Sequence, residues 1–173
     1  MGRVKSLPNF LTLLRVLLIP FIVFAVVLGH FKWAFFLFAL CSLTDFLDGY
    51  IARKRNSITS LGILLDPVAD KLLTSSTLIS LAYVKACDLF SVLVIVGREE
   101  AITGMRAIAA SRGTVIPASK GGKLKTFLIM VSISLILLGF KREGEALLVV
   151  SAFVALYTGF VYFYNFFKEL REI

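Results

Sequence analysis

The chain of 173 residues has one histidine, one tryptophan, two cysteines and four prolines. Cys41 and Cys87 show no metal-ligand spacing and no disulfide framework. Cys41 sits inside an apolar run and reads as packing. The lone histidine, His30, falls at a break between apolar runs and is not read as catalytic. Acidic residues are scarce too, 11 against 19 lysines and arginines, which leaves a formal net charge of +8. In a membrane protein such a surplus marks cytoplasmic loops facing anionic lipid more often than nucleic acid, so no nucleic-acid partner is expected. The chain has neither an internal repeat nor a low-complexity tract.

Apolar residues are what it has in excess: 58% of the chain is hydrophobic and the mean hydropathy is +0.90, against about 45–50% apolar in a soluble globular chain. Run length decides between a greasy soluble domain and a membrane protein. A helix crossing the hydrocarbon core needs about 20 apolar residues. Residues 7–28, 127–140 and 146–167 supply such runs. The first follows Arg3 and Lys5, as a secretory signal would. It is too long for that, and no small-residue cleavage site follows, so it reads as a retained helix. The pattern predicts an all-α, polytopic membrane protein, one catalytic domain over 1–173, with spans near 8–28, 32–53, 62–84, 89–111, 121–140 and 145–167.

Lysine and arginine divide unevenly about those spans. Arg3, Lys5, Arg53–Arg55, Arg112, Lys120, Lys123, Lys125, Lys168 and Arg171 fall on one side; Lys32, Lys85, Lys141 and Arg142 fall on the other. The positive-inside rule then places both termini and the 53–60 and 112–125 loops in the cytoplasm, with the chain in the inner (cytoplasmic) membrane. Trp33 and the late tyrosines read as interface-belt residues.

Ionisable groups inside spans are costly and point to function. Asp45 and Asp48 end the second span, three residues apart. Asp66 and Asp70 begin the third, four apart. Each pair therefore shares a helix face. Four carboxylates converging in a partly dry cavity repel unless cations sit among them, and all-oxygen ligands favour Mg²⁺ or Mn²⁺. The bland alternative makes them helix-end residues in solvent, with Asp66 as an N-cap and Pro67 as the first helical residue. Gly49, Ala52 and Gly62 allow close approach of a ligand, and Arg53 puts a cation near a bound phosphate.

In full, the segment reads Asp45-Phe-Leu-Asp48-Gly49-Tyr-Ile-Ala52-Arg53, eight residues, then Gly62-Ile-Leu-Leu-Asp66-Pro-Val-Ala-Asp70. This resembles the signature of the CDP-alcohol phosphatidyltransferase family, with every position filled. The resemblance implies a six-helix membrane enzyme, a homodimer, with a two-metal site opening to the cytoplasm. Pro8-Asn9 with Thr12 and Arg15, Leu65–Lys71, Arg98-Glu99 with Arg106, and Gly122–Thr126 are similar to the branch whose acceptor is sn-glycerol 3-phosphate. That branch converts it, with CDP-diacylglycerol, to phosphatidylglycerophosphate and CMP.

The resemblance implies Asp45, Asp48 and Asp66 as principal ligands of two Mg²⁺ or Mn²⁺ ions. Asp70 would contact the second ion and take the proton of the acceptor hydroxyl. Asn9, Thr12, Gly49, Ala52, Arg53 and Gly62 would line the CDP-lipid pocket. The acceptor's phosphate needs cations of its own, for which Arg106, Lys123, Lys125 and Arg98 are the candidates; the two lysines also fit ordinary loop charge. Arg15 is expected to pair with a carboxylate such as Glu99 or Glu100, or to snorkel. Two alternatives stay open: the same chemistry with inositol phosphate, serine or phosphatidylglycerol as acceptor, and a divalent-cation transporter.

Overall fold

Between breaks at Gly29, Lys85 and Gly139 the apolar runs fold as helices. The computed structural model describes the backbone of residues 3–55, 60–111 and 120–171 and, within these, the side chains of 12–44, 67–111, 121–164, 166 and 168. Among the described residues there are six α-helices and no strand: α1 (Arg3–Val27), α2 (Phe31–Arg55), α3 (Ser60–Tyr83), α4 (Leu89–Ser111), α5 (Lys120–Leu137) and α6 (Lys141–Arg171). The all-α expectation holds. The helix α6 starts earlier than expected, because the charged run Lys141–Glu143 forms its first turn. Glu143 is well placed there, at the positive end of the helix dipole. The bland reading of Asp66 fails at the backbone level: α3 begins at Ser60, so Pro67 lies inside a helix and Asp66 does not cap one.

Three helices end in the same way. Gly29 has φ +79°, its N–H donates to the Val26 carbonyl, and the His30 N–H reaches back to Ala25. This pairing satisfies carbonyls that the end of a helix would orphan. Lys85 (φ 56°) and Gly139 (φ 98°) close α3 and α5 in the left-handed region as well.

The chain divides into two compact units, residues 1–86 with 137–139, and residues 87–136 with 140–173. In the first, α1 packs against both α2 and α3, burying Ile22 and Val26 of α1, Ala34 and Phe38 of α2, and Leu73 and Leu81 of α3. In the second, α4 packs on α6, with Ile102, Met105, Ala109, Tyr162 and Phe166 clustered.

The polarity of α1 is inverted relative to a water-soluble helix. Thr12 and Arg15 are buried, while Leu17, Phe21 and Phe24 are exposed. Phe153, Tyr157, Phe160 and Tyr164 make a comparable exposed face on α6. Hydroxyls inside the helices turn back on their own backbone: Thr77 Oγ1 donates to the Leu73 carbonyl at 2.7 Å, Ser132 Oγ to Leu128 at 2.9 Å and Ser151 Oγ to Leu147 at 2.7 Å. Among the described residues, the stretch Lys141–Tyr164 is by itself long and apolar enough to cross a membrane, while Thr12–Val27 and Phe31–Thr44 are apolar but shorter.

Asp88 caps α4, its Oδ2 accepting the Ser91 N–H at 2.7 Å. That bond holds the carboxyl below its ordinary value. A depressed carboxyl stabilises the fold above its unfolded pKa of about 3.9, and the contribution disappears as pH falls through the lower folded value. Asp88→Asn, which keeps the cap, is therefore expected to flatten the acid limb of a pH–melting curve below about pH 4. An unchanged limb would assign the acid sensitivity to other carboxylates. Next to it, burial pushes the Cys87 thiol up to about 12, with Glu145 and Asp88 adding to the shift. It stays protonated at neutral pH and is a poor nucleophile there.

Candidate active site

Two groups of site residues are described, one in each unit. In the first, Arg15 comes from α1 and Asp70 from α3. Arg15 Nη1 donates to Asp70 Oδ1 at 3.0 Å. The arginine side chain is 1% exposed and the carboxylate 39%. Among the described residues Arg15 thus pairs with Asp70, where Glu99 or Glu100 was expected, and the guanidinium is packed rather than snorkelling. Thr12, one turn before Arg15 on α1, is buried beside it in sequence. Asp70 thus has a fixed orientation while staying accessible, as a group that must meet a substrate requires. The side chains of Asn9, Asp45, Asp48, Gly49, Ala52, Arg53, Gly62 and Asp66 lie outside the described residues. Their backbone is helical, so each aspartate pair is one turn apart along its own helix. Among the described residues no three acidic, histidine or cysteine side chains cluster.

The second unit gathers cations from α4 and α5. Arg98 Nη1 donates to Glu99 Oε1 at 2.7 Å, and Lys125 Nζ donates to the same oxygen. Arg98 Nη2 also donates to Thr158 Oγ1 of α6 at 3.2 Å. The Thr158 hydroxyl gives its own proton to the Val154 carbonyl at 2.8 Å, which turns a lone pair toward the arginine. Gly159 lets Arg98 pack closely: a Cβ there would stand 3.1 Å from Arg98 Cγ and push the arginine chain aside by a few tenths of an ångström. Lys125 is buried, its side chain 3% exposed, so it is not solvated loop charge. Lys123, two residues earlier, is exposed. Residues two apart do not share a helix face, and Lys123 makes no ion pair among the described residues.

Arg106 lies two turns beyond Arg98 on α4. Its Nε donates to Tyr162 Oη at 3.1 Å, and its guanidinium carbon is 5.4 Å from the ring centroid. The α4 order Arg98, Arg106 meets the α6 order Thr158, Tyr162, so the two helices run parallel. Glu99 thus pairs with two cations, Arg98 and Lys125, and Arg106 adds a third, without a carboxylate partner among the described residues, further along α4, a surplus that suits an anionic ligand. An open cleft of about 430 Å³ is lined by Arg98 together with Ala101, Ile102, Leu156, Gly159 and aromatic rings. Its apolar lining suits hydrocarbon, not phosphate.

Reading the sequence offered Arg98 as a partner for Glu99 without fixing its role, took Tyr162 for an interface-belt residue, which its burial corrects, and passed over Thr158. A signal existed for the first: an acid within a span must pair, and Arg98 is adjacent. For Tyr162 there was none, because its partner is 56 residues away.

Comparison with known proteins gives the family. The CDP-alcohol phosphatidyltransferase family model matches residues 5–162. The chain is 40% identical over 170 residues to a CDP-diacylglycerol–glycerol-3-phosphate 3-phosphatidyltransferase of Rickettsia felis, covering 92% of this chain and 94% of that one. It is 40% identical over 149 residues to the Bacillus subtilis protein of the same name, covering 77% of each. A CMP-forming cardiolipin synthase of Streptomyces coelicolor is 36% identical over 143 residues, 79% of this chain and 66% of that one. With the family model spanning most of its length and such relatives beside it, the chain belongs to the CDP-alcohol phosphatidyltransferase family.

Proposed function

We propose that the protein transfers the phosphatidyl group of CDP-diacylglycerol to sn-glycerol 3-phosphate, giving phosphatidylglycerophosphate and CMP. The Rickettsia felis and Bacillus subtilis relatives carry names for this reaction. The observation that favours a phosphorylated acceptor is the second unit's set of cations, Arg98 and Lys125 on Glu99 and Arg106 beyond them on α4, and the relatives' names favour glycerol 3-phosphate over inositol phosphate. A phosphate dianion calls for such a surplus, whereas serine does not.

The family is membrane-associated and generally uses a divalent metal. The chain's donor set fits one: carboxylates one turn apart on continuous helices offer only oxygen, and Asp70 is accessible. Asp45, Asp48, Asp66 and Asp70 would hold two ions, Mg²⁺ or Mn²⁺. When bound, such ions neutralise the pyrophosphate and stabilise the charge of departing CMP. The rest falls to the chain. Asn9, Thr12, Gly49, Ala52, Arg53 and Gly62 bind the CDP-lipid. Arg106, Arg98, Lys125 and Lys123 hold the acceptor's phosphate. Asp70, oriented by Arg15, takes the proton of the attacking hydroxyl. A new oxygen–phosphorus bond forms at the phosphatidyl phosphorus as the bond to CMP breaks. A carboxylate tightly held on a metal is a weak base, so Asp70 acts when loosely ligated.

The reading extends to topology: six spans in the cytoplasmic membrane, both termini cytoplasmic, one catalytic domain over 1–173, working as a homodimer among membrane lipids. The inverted polarity of α1 and the apolar outer face of α6 support it.

Turnover tests the reading. Purified protein with CDP-diacylglycerol and Mg²⁺ is expected to release CMP with glycerol 3-phosphate, and not with serine, inositol phosphate or phosphatidylglycerol. The cardiolipin synthase relative makes phosphatidylglycerol the acceptor to exclude first. Arg106→Ala is expected to raise the KM for glycerol 3-phosphate about 10- to 100-fold, the loss of one or two charge-assisted bonds, while the KM for CDP-diacylglycerol holds. Equal loss toward both substrates would remove Arg106 from the acceptor site.

A further inference from the structure

We infer that Tyr162 is a positioning residue for the acceptor's phosphate, acting through Arg106. This rests on the assignment of Arg106 to that phosphate and goes beyond it by giving α6 a part in acceptor selection. Arg106 is exposed on α4. An exposed arginine samples many rotamers and binds an anion only after giving them up. Here two contacts limit that freedom. Arg106 Nε is held by Tyr162 Oη at 3.1 Å, and the guanidinium carbon lies 5.4 Å from the ring centroid. The ring cannot easily follow a moving partner. Tyr162 is 7% exposed and packed with Ile102, Met105, Ala109 and Phe166. With Nε engaged, the opposite edge of the guanidinium, Nη1 and Nη2, is left for a bidentate contact with two oxygens of a phosphate. Glu99, the acid of the neighbouring cluster, binds Arg98 and Lys125. Among the described residues Arg106 has no carboxylate partner to compete with an incoming anion.

Tyr162→Phe removes the hydroxyl and keeps the buried ring, so packing is retained. The KM for glycerol 3-phosphate is expected to rise about tenfold, as for one hydrogen bond to a charged group. The KM for CDP-diacylglycerol and the kcat at saturating acceptor stay within about twofold. In an Arg106→Ala background the same substitution should add nothing, because its only route is through that arginine. An unchanged acceptor KM in Tyr162→Phe, or effects that multiply in the double variant, would overturn the inference. An equal loss toward both substrates would also overturn it by assigning Tyr162 a general structural role. If Arg106→Ala itself left the acceptor KM unchanged, the assignment of Arg106 would fall first and the inference with it.

Discussion

Asp70→Asn is expected to cut CMP release by about 10²- to 10⁴-fold, the range for loss of a general base, with little change in fold. Asparagine has the same shape, and its amide oxygen can still accept the bond that Arg15 Nη1 now gives Asp70 Oδ1 at 3.0 Å. Arg15 keeps a partner, and the loss of rate is then chemical. Asp70→Ala is a different experiment, because it takes the Asp70 carboxylate from a guanidinium that is 1% exposed. Removing one partner of a buried charge is costlier than losing an exposed pair, so the alanine variant is expected to melt lower and the asparagine variant to melt near the parent. A metal titration separates base from ligand. If Asp70 served only to hold an ion, raising Mg²⁺ would restore the asparagine variant's rate. If it takes the proton, saturating metal would leave the deficit in place. Substantial turnover by Asp70→Asn at ordinary metal concentration would move the base elsewhere.

The second large effect concerns stability. Glu99→Gln leaves the buried Lys125 and Arg98 side chains, 3% and 11% exposed, without the one carboxylate they share. Breaking a buried pair by removing one partner costs about 3–5 kcal/mol. For a chain of this size that lowers the melting temperature by on the order of 10 °C. Glu99 is itself 21% exposed, which places the effect toward the lower end. Adding Lys125→Met to Glu99→Gln replaces a buried charge that has lost this carboxylate with an apolar chain of similar length, so part of the stability should return. Acceptor use should not return, because a cation is gone. Melting in micelles beside the acceptor KM reads both. A Glu99→Gln variant as stable as the parent would mean that the cluster is hydrated and its ion pairs weak.

Much of the fold was legible because helix ends here have local causes. The breaks at Gly29, Lys85 and near Gly139 were visible as glycine or charge between apolar runs. The expected span 89–111 coincides with α4. The error at α6 came from reading Lys141–Glu143 as loop, when charged residues serve equally well in a first helical turn. The bland account of Asp66 and Pro67 failed for the opposite reason. Proline is a strong local signal, yet α3 runs through it. In the candidate site, residue types were legible and partners were not. Arg15 was expected to seek a carboxylate and does, but the one it finds is 55 residues away. Lys125 was a candidate for the acceptor's phosphate that also fitted ordinary loop charge, and packing places it against Glu99, 26 residues upstream. Tyr162, in a run of aromatic residues, looked like an interface residue, as the exposed Tyr157 and Tyr164 still do. Pairings of this kind are decided by which helix faces meet, and a single sequence does not encode that locally.

The hydroxyls that bond to their own helices carry a consequence for how such a chain is weighed against its surroundings. Thr74 and Thr77 each donate to the carbonyl four residues back, and Ser80 to the one three residues back. The proton that a tabulated residue polarity assigns to solvent is already consumed within the helix. Thr77 and Ser80 are buried, so what α3 (Ser60–Tyr83) turns toward its packed neighbours there is methyl and methylene rather than an unmet donor. The polarity a neighbouring helix meets is a property of the folded helix, and in Ser/Thr-bearing helices it is lower than that of the sequence.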